Sequence, residues 1–167
     1  MLAIPIFFII AVERKKVLLS ELGFPKNRKW FNEALAAGKI FLALIFFSII
    51  FSVIFTLAGT NDLEPVQQVA KSLAAGSPFV LAYFFIVRVF AEEFLFRAFL
   101  VPRIGVVLSA ALFGIAHLSY GSVAEAVGAF ALGIILGIAY KQNKSIVPNF
   151  IAHMLYNFVA VISLLNI

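Results

Sequence analysis

The sequence predicts an all-α fold: a polytopic integral membrane helical bundle of about five to six membrane helices. Three observations predict it. Of 167 residues, 63% are hydrophobic and 13% charged, with a mean hydropathy of +1.09, whereas a soluble domain is roughly half apolar and a quarter charged. The apolar residues fall into long runs, and Ile40 to Ala58 holds no charge at all, enough for one full span. The lysines and arginines gather at the ends of those runs, the pattern of positive-inside topology.

That placement also disposes of one function class. A net charge of +5 would suit nucleic acid only if it formed a patch or stripe, and here it marks helix ends instead. There is no cysteine, which removes disulfides, thiolate metal ligands and a cysteine nucleophile. The length suits a single membrane domain over residues 1–167, with residues 1–39 as a short helix and a basic interfacial segment and 40–167 as the helical core. The expected location is a cell membrane crossed several times, the plasma membrane of a prokaryote.

Met1 to Val12 is apolar but reaches only about 18 Å as a helix, against a hydrocarbon core of about 30 Å. It precedes Glu13-Arg14-Lys15-Lys16, the reverse of a secretory signal, so it reads as a short or tilted first helix, or one trimmed at its N-terminus. Residues 13–39 carry seven basic side chains among three acids, with Trp30 and Phe31 between them, and read as a cytoplasmic interfacial stretch. After the span Ile40 to Ala58 comes an expected extracytoplasmic loop, Gly59 to Pro78, with Asp62 and Glu64 against the single cation Lys71. Phe79 to Val101 is the next apolar run and ends at Pro102-Arg103. Ile104 to Tyr120 and Ser122 to Tyr140 follow, the latter with Gly133 and Gly137 spaced as a close helix-packing face. A basic turn, Lys141-Gln142-Asn143-Lys144, leads to the final run, Ile146 to Leu165. Alternating sides puts every basic turn in the cytoplasm and the acidic loop outside.

The polar residues inside these runs carry the chemistry. A charge at the bilayer centre costs roughly 2.5–3.5 kcal/mol on insertion scales, and Phe79 to Val101 holds Arg88, Glu92, Glu93 and Arg97. Arg88 and Glu92 are four apart, as are Glu93 and Arg97, the spacing of helical ion pairs. Glu92 and Glu93 point about 100° apart, so one carboxylate can be tied to an arginine while the other faces elsewhere. The plainer reading is two ion pairs that fix helix register. The only two histidines, His117 and His153, lie in apolar runs too. Asn149, His153 and Asn157 form a stripe on one helix face, which has to meet protein or a wet cavity; interhelical hydrogen bonding alone would also explain it. Counted from the cytoplasmic ends, Glu92 lies about 13 Å deep and His153 about 10 Å, depths that match and imply substrate access from the cytoplasmic side. His117 lies about 20 Å from Ile104, so its helix has to start late or tilt to join them.

Glu92-Glu93-Phe94-Leu95-Phe96-Arg97 reads E-E-x-x-x-R, Phe113 to His117 reads F-x-x-x-H, and His153 to Asn157 reads H-x-x-x-N. In this order, on separate apolar segments, they resemble the three motifs of the CAAX protease and bacteriocin-processing family (CPBP, or Abi) of intramembrane endopeptidases, which includes the type II CAAX prenyl endopeptidases. The resemblance spans roughly residues 78–160 within the core, and Glu21-Leu22-Gly23-Phe24 is similar to a segment often found upstream. It implies a metal-free, glutamate-dependent protease. By motif position Glu92 and His117 would activate water, His153 and Asn157 would hold the oxyanion, and Glu93 and Arg97, with Arg88 and Asn149, would support them. The implied partners are membrane lipid and a peptide or lipidated-protein substrate; no cofactor is implied. The oligomeric state stays open.

Three rivals are weighed against it. Two histidines and a glutamate are enough for a zinc protease, but H-E-x-x-H is missing and H-x-x-x-N offers an amide where a second imidazole is needed. A proton-coupled carrier would use similar groups, yet the chain shows no internal repeat. A non-catalytic immunity or scaffold protein would not need intact motifs.

Overall fold

The computed structural model describes Gly23 and residues 29–60 and 62–165. The expected helix at 1–12 and most of the basic stretch after it lie outside the described residues. Helix α1, Trp30–Leu57, begins ten residues before the uncharged run, because Glu33 and Lys39 do not interrupt it. Glu33 is buried, and the Ser145 hydroxyl donates to its Oε2 at 2.8 Å, which fastens the start of α1 to a distant turn. Trp30 and Phe31 stay exposed, as suits aromatic side chains at a membrane interface.

The loop expected over 59–78 contains a short amphipathic helix, α2, Glu64–Ala74, with Pro65 in its first turn. Ala70 is buried and Glu64, Gln68, Lys71 and Ser72 are exposed, the two-faced pattern of a helix lying over apolar surface. Gln67 ties it to α6 (Val147–Leu165) by donating to the Leu164 carbonyl at 3.1 Å.

From Pro78 onward the chain stays helical through Tyr120, with one break. Gly105 sits at φ 82° and ψ 172° inside the run Val101–His117, an extended left-side conformation that a residue with a Cβ strongly resists. The break divides the run into α3, residues 78–104, and α4, residues 106–117. Two stretches of α3, Tyr83–Arg88 and Glu93–Leu100, are π-helical, on either side of the α turn Val89–Glu92. Such wide turns re-aim side chains and recur at functional sites. Past Gly105 the chain reverses: the Ser109 hydroxyl donates to the Phe96 carbonyl, and the Phe96 and Phe113 rings meet edge-on at 5.0 Å.

Helix α5, Val123–Asn143, packs closely along α4. Glycines allow that approach: a Cβ at Gly114 would stand 2.8 Å from the Ala126 carbonyl oxygen, and one at Gly137 would stand 2.8 Å from Val106. Gly133 lies against Ala110 and Phe113, so the glycine face expected from the sequence does mediate a helix contact. Lys144 ends α5 in a left-handed conformation (φ 54°), and α6 follows.

Trp30–Leu57, Pro78–Tyr120, Val123–Asn143 and Val147–Leu165 are long and apolar enough to cross a membrane, and no strand occurs among the described residues. The exterior carries Leu42, Phe46, Val53, Leu57 and Phe79, while Glu92, Glu93, Arg97, Asn149 and His153 are inside. Apolar outside and charged inside is the arrangement of a protein solvated by lipid. The chain is an all-α, multi-pass membrane bundle.

Candidate active site

Helix α3 supplies the two carboxylates. Each has its own arginine one turn away, not one shared between them. The Arg88 Nε donates to Glu92 Oε1 at 2.9 Å. Arg97 Nη1 lies 3.1 Å from Glu93 Oε1, with both side chains at or below 1% exposure. The spacing-four ion pairs read from the sequence therefore both form, the second across the π turn.

Their surroundings differ. Glu93 accepts from His153 Nδ1 at 2.8 Å and from Asn149 Nδ2 at 3.3 Å. Asn149 also donates to the Leu136 carbonyl at 2.8 Å. Because a carboxylate only accepts, the proton of this contact sits on His153 Nδ1, which turns Nε2 toward Glu92 Oε2, 3.9 Å away. Arg97 faces the Phe113 ring at 4.3 Å, which gives its buried charge a second partner. Glu93 thus holds a histidine, an asparagine and an arginine in one dry cluster.

Glu92 faces the other way, toward space. A cavity of ≈ 90 Å³ is lined by Arg88, Glu92, His117, Tyr120, Glu125 and Asn157, with the apolar side chains of Val66, Val69, Ala70 and Leu73 from α2 over it. A second, of ≈ 140 Å³, is lined by His117, Glu125, His153, Tyr156 and Asn157 and by α1 side chains from Leu44 to Phe55. His117, Glu125, Tyr156 and Asn157 belong to both walls and form the waist between them. A water needs roughly 10–15 Å³ of such space, so each cavity holds several.

The depth mismatch noted for His117 resolves at Gly105. Helix α4 starts only after that break, and α3 continues to residue 104. Counted from the turn, Glu92 lies twelve residues before Ile104 and His117 eleven after Val106, roughly 18 Å and 17 Å along antiparallel helices. The two meet at one level. The His117 Nδ1 donates to the Phe113 carbonyl at 2.8 Å, since a carbonyl offers no proton, and this leaves Nε2 as an acceptor.

All the sequence-predicted residues therefore converge: Glu92, His117, His153 and Asn157 at the cavities, and Glu93, Arg97, Arg88 and Asn149 behind or beside them. The sequence reading missed Glu125, Tyr120 and Tyr156. Arg88 packs over the Tyr120 ring at 5.1 Å, which positions the guanidinium that holds Glu92. The cavities lie toward the end of the bundle opposite the basic turns. No residue of 93–112 or 137–152 lines either cavity. At that basic end Phe94, Ala98, Val101, Tyr140 and Ile146 form a buried apolar cluster that closes the bundle. Residue depth alone cannot say which end packs shut.

Among the described residues, no three His, Asp or Glu side chains are grouped so as to hold a metal ion.

A search of curated proteins and a search of solved structures found no match. A scan against protein-family models matches residues 74–159 to the type II CAAX prenyl endopeptidase Rce1-like family. That segment is just over half of the 167 residues and holds all three motifs and both walls of the waist. The chain belongs to the type II CAAX prenyl endopeptidase Rce1-like family, a family of membrane-embedded proteases.

Proposed function

We propose that the chain hydrolyses a peptide bond of a membrane-associated substrate, with Glu92 and His117 activating the attacking water. The observation that carries the proposal is the waist. Groups from three motifs on three helices meet at two cavities large enough for water.

Arg88 fixes Glu92 through Oε1, and Glu92 lines the first cavity. His117, anchored through Nδ1, presents its lone pair at Nε2. A water between these two acceptors gives its proton to Glu92 as its oxygen attacks the scissile carbonyl carbon. Asn157 has a carboxamide on both cavity walls and donates to the oxyanion that forms. His153, held by Glu93 through Nδ1–H, lines the second cavity and completes the polar face with Asn157. The tetrahedral intermediate then collapses, the C–N bond breaks, and the leaving amine takes the proton held by Glu92. Glu93 does not touch the reacting atoms; it positions His153 and Asn149 and is in turn neutralised by Arg97.

The family supports a substrate that is a peptide carrying a lipid anchor, prenylated at a CAAX end or otherwise tethered. Mass spectrometry of products from matched prenylated and unprenylated peptides tests it. Cleavage of the anchored peptide by wild-type protein, lost in Glu92→Gln, is expected. Equal cleavage by both proteins would overturn the mechanism.

A further inference from the structure

A third cavity lies on the outer side of α1 and α5. It is a groove of ≈ 600 Å³ along the seam between the two helices, within the range of about 300–1,000 Å³ usual for ligand sites. Spacing of four builds both walls: Lys39, Ala43, Phe47 and Phe51 follow one face of α1, and Ile134, Ile138 and Gln142 one face of α5. Behind the floor, Ile40, Leu44, Leu132, Leu136 and Ala139 pack as a buried cluster that holds the helices together. Ala43 and Ala131 are too small to fill the space in front of that cluster, so the groove stays open.

The groove is polar at one end only. Of the residues lining it, Lys39 and Gln142 alone carry polar side chains, and both sit at the basic end, where α1 starts and α5 stops. Both offer N–H donors, and no carboxylate lines the groove. Among the described residues no acid pairs with Lys39, and Lys141 and Lys144 are exposed at the same end, so this rim attracts an anion. Lys39 to Phe51 and Gln142 to Phe130 are each twelve residues, roughly 18 Å of helix. One leaflet's share of the hydrocarbon core is about 15 Å. The occupant that fits has a negative head and an apolar body one leaflet long.

We propose that the groove binds one phospholipid with an anionic headgroup, drawn from the leaflet at the basic end. Its phosphate meets Lys39 and Gln142, and one acyl chain runs past Phe47 and Ala131 to Phe51. Basic side chains between helices at the membrane surface favour anionic over zwitterionic lipid. Phe51 borders the second cavity as well, so the end of the chain lies one ring away from the waist and braces the α1 wall. The lipid site stands whether or not Glu92 is a catalytic base.

The chain, purified in detergent, is mixed with equal amounts of dioleoylphosphatidylglycerol and dioleoylphosphatidylcholine, which share their acyl chains. Native mass spectrometry then counts the lipid that stays bound. One phosphatidylglycerol per chain should be retained, with a preference over phosphatidylcholine of roughly five-fold or more. Lys39→Gln should lower that preference about five-fold, the weight of one lysine at an anionic surface. Lys71→Gln, on α2 and outside the groove, should leave it unchanged. Ile138 is exposed and outside the buried core, so Ile138→Trp fills the groove without disturbing the fold. That variant should keep the wild-type melting temperature in detergent alone and lose the retained lipid. Added phosphatidylglycerol should raise the melting temperature of wild type and not that of Ile138→Trp. Both lipids bound without preference, or an undiminished preference in Lys39→Gln, would mean ordinary lipid contact with an apolar surface and would overturn the proposal. Full retention of phosphatidylglycerol by Ile138→Trp would overturn the placement in this groove.

Discussion

The two neighbouring glutamates sit in contrasting regions of one helix. Glu93 is at 0% exposure and spends both oxygens on protein groups, Arg97, His153 and Asn149. Glu92 has one oxygen held by Arg88 and lines a cavity. A carboxylate with all its partners in place is part of the scaffold, and one facing water-sized space is available for proton transfer. Adjacent positions on a helix, aimed about 100° apart, are enough to separate the two jobs.

The largest effect that would test this contrast is on rate. Glu92→Gln keeps the shape and removes the base, so single-turnover cleavage should fall by roughly 10²–10⁴-fold while the melting temperature in detergent hardly moves. If Glu92→Gln cleaves normally and Glu93→Gln is stable but inactive, the two roles are reversed. The same assay run with a chelator addresses the zinc alternative: the rate should not change. One stoichiometric zinc on elemental analysis, with activity lost to chelator and restored by zinc, would replace the water-activation scheme.

The complementary effect is on stability. Glu93→Gln leaves Arg97 buried opposite a neutral amide, and breaking a buried pair this way costs about 3–5 kcal/mol. Early unfolding in detergent is expected, with part of the loss recovered in Glu93→Gln combined with Arg97→Met, which removes the stranded charge. Equal stability of wild type and Glu93→Gln would mean the dry cluster is not what holds the helices in register.

How far this contrast was legible in the sequence varies by residue. Spacing of four paired Glu92 with Arg88 and Glu93 with Arg97 and put His153 on a stripe with Asn149 and Asn157, while His117 joined them through the resemblance of the motifs. The Asn149, His153, Asn157 stripe also held together, though it runs from dry to wet: Asn149 is at 0% exposure and Asn157 lines both cavities. Glu125 was missed for a physical reason. Ser122-x-x-Glu125 has the pattern of a helix-capping box, in which the glutamate turns back to the chain. Here the Ser122 hydroxyl accepts from the Glu125 N–H at 2.9 Å and Asp62 takes the Val123 and Ala124 amides, while Glu125 lines both cavities instead of turning back. A contact across sixty residues cannot be read from local spacing. The same holds for the Gly105 break, where glycine in an apolar run gives no sign that the chain reverses there.

A smaller effect tests the packing that brings His117 to Glu92. Gly114→Ala would place a Cβ 2.8 Å from the Ala126 carbonyl oxygen and 2.9 Å from the Phe130 Cβ. Neither is the loose end of a side chain, so α4 and α5 have to part, at about 1–3 kcal/mol. Because His117 is one turn further along α4, cleavage should fall together with the melting temperature. A stable Gly114→Ala protein with full activity would show that the waist tolerates a shift of α4.

The smallest effect concerns the outer rim. Asp62 accepts from the Val123 N–H at 2.7 Å, the Ala124 N–H at 3.0 Å and the Ser122 hydroxyl at 2.8 Å. These three donors sit at the start of α5, where amides have no partner within the helix. They favour the charged form, led by the Val123 amide, and hold the Asp62 carboxyl below the usual aspartate value. A group whose value is depressed on folding stabilises the fold at a pH above its unfolded value, about 3.9, and that contribution is lost as the pH falls through the lower folded value. Asp62→Asn keeps one acceptor oxygen and loses the charge. It should therefore melt slightly below wild type at neutral pH, with the gap closing below roughly pH 4. Because Asp62 is open to solvent, added salt should narrow the gap at neutral pH as well. Amide exchange at Val123 and Ala124 should quicken in the variant while exchange at the buried Leu136 stays slow. A gap of the same size at pH 3 and pH 7 would mean that the charge of Asp62 does not cap α5, and that the 58–63 loop is held to the rim by packing instead.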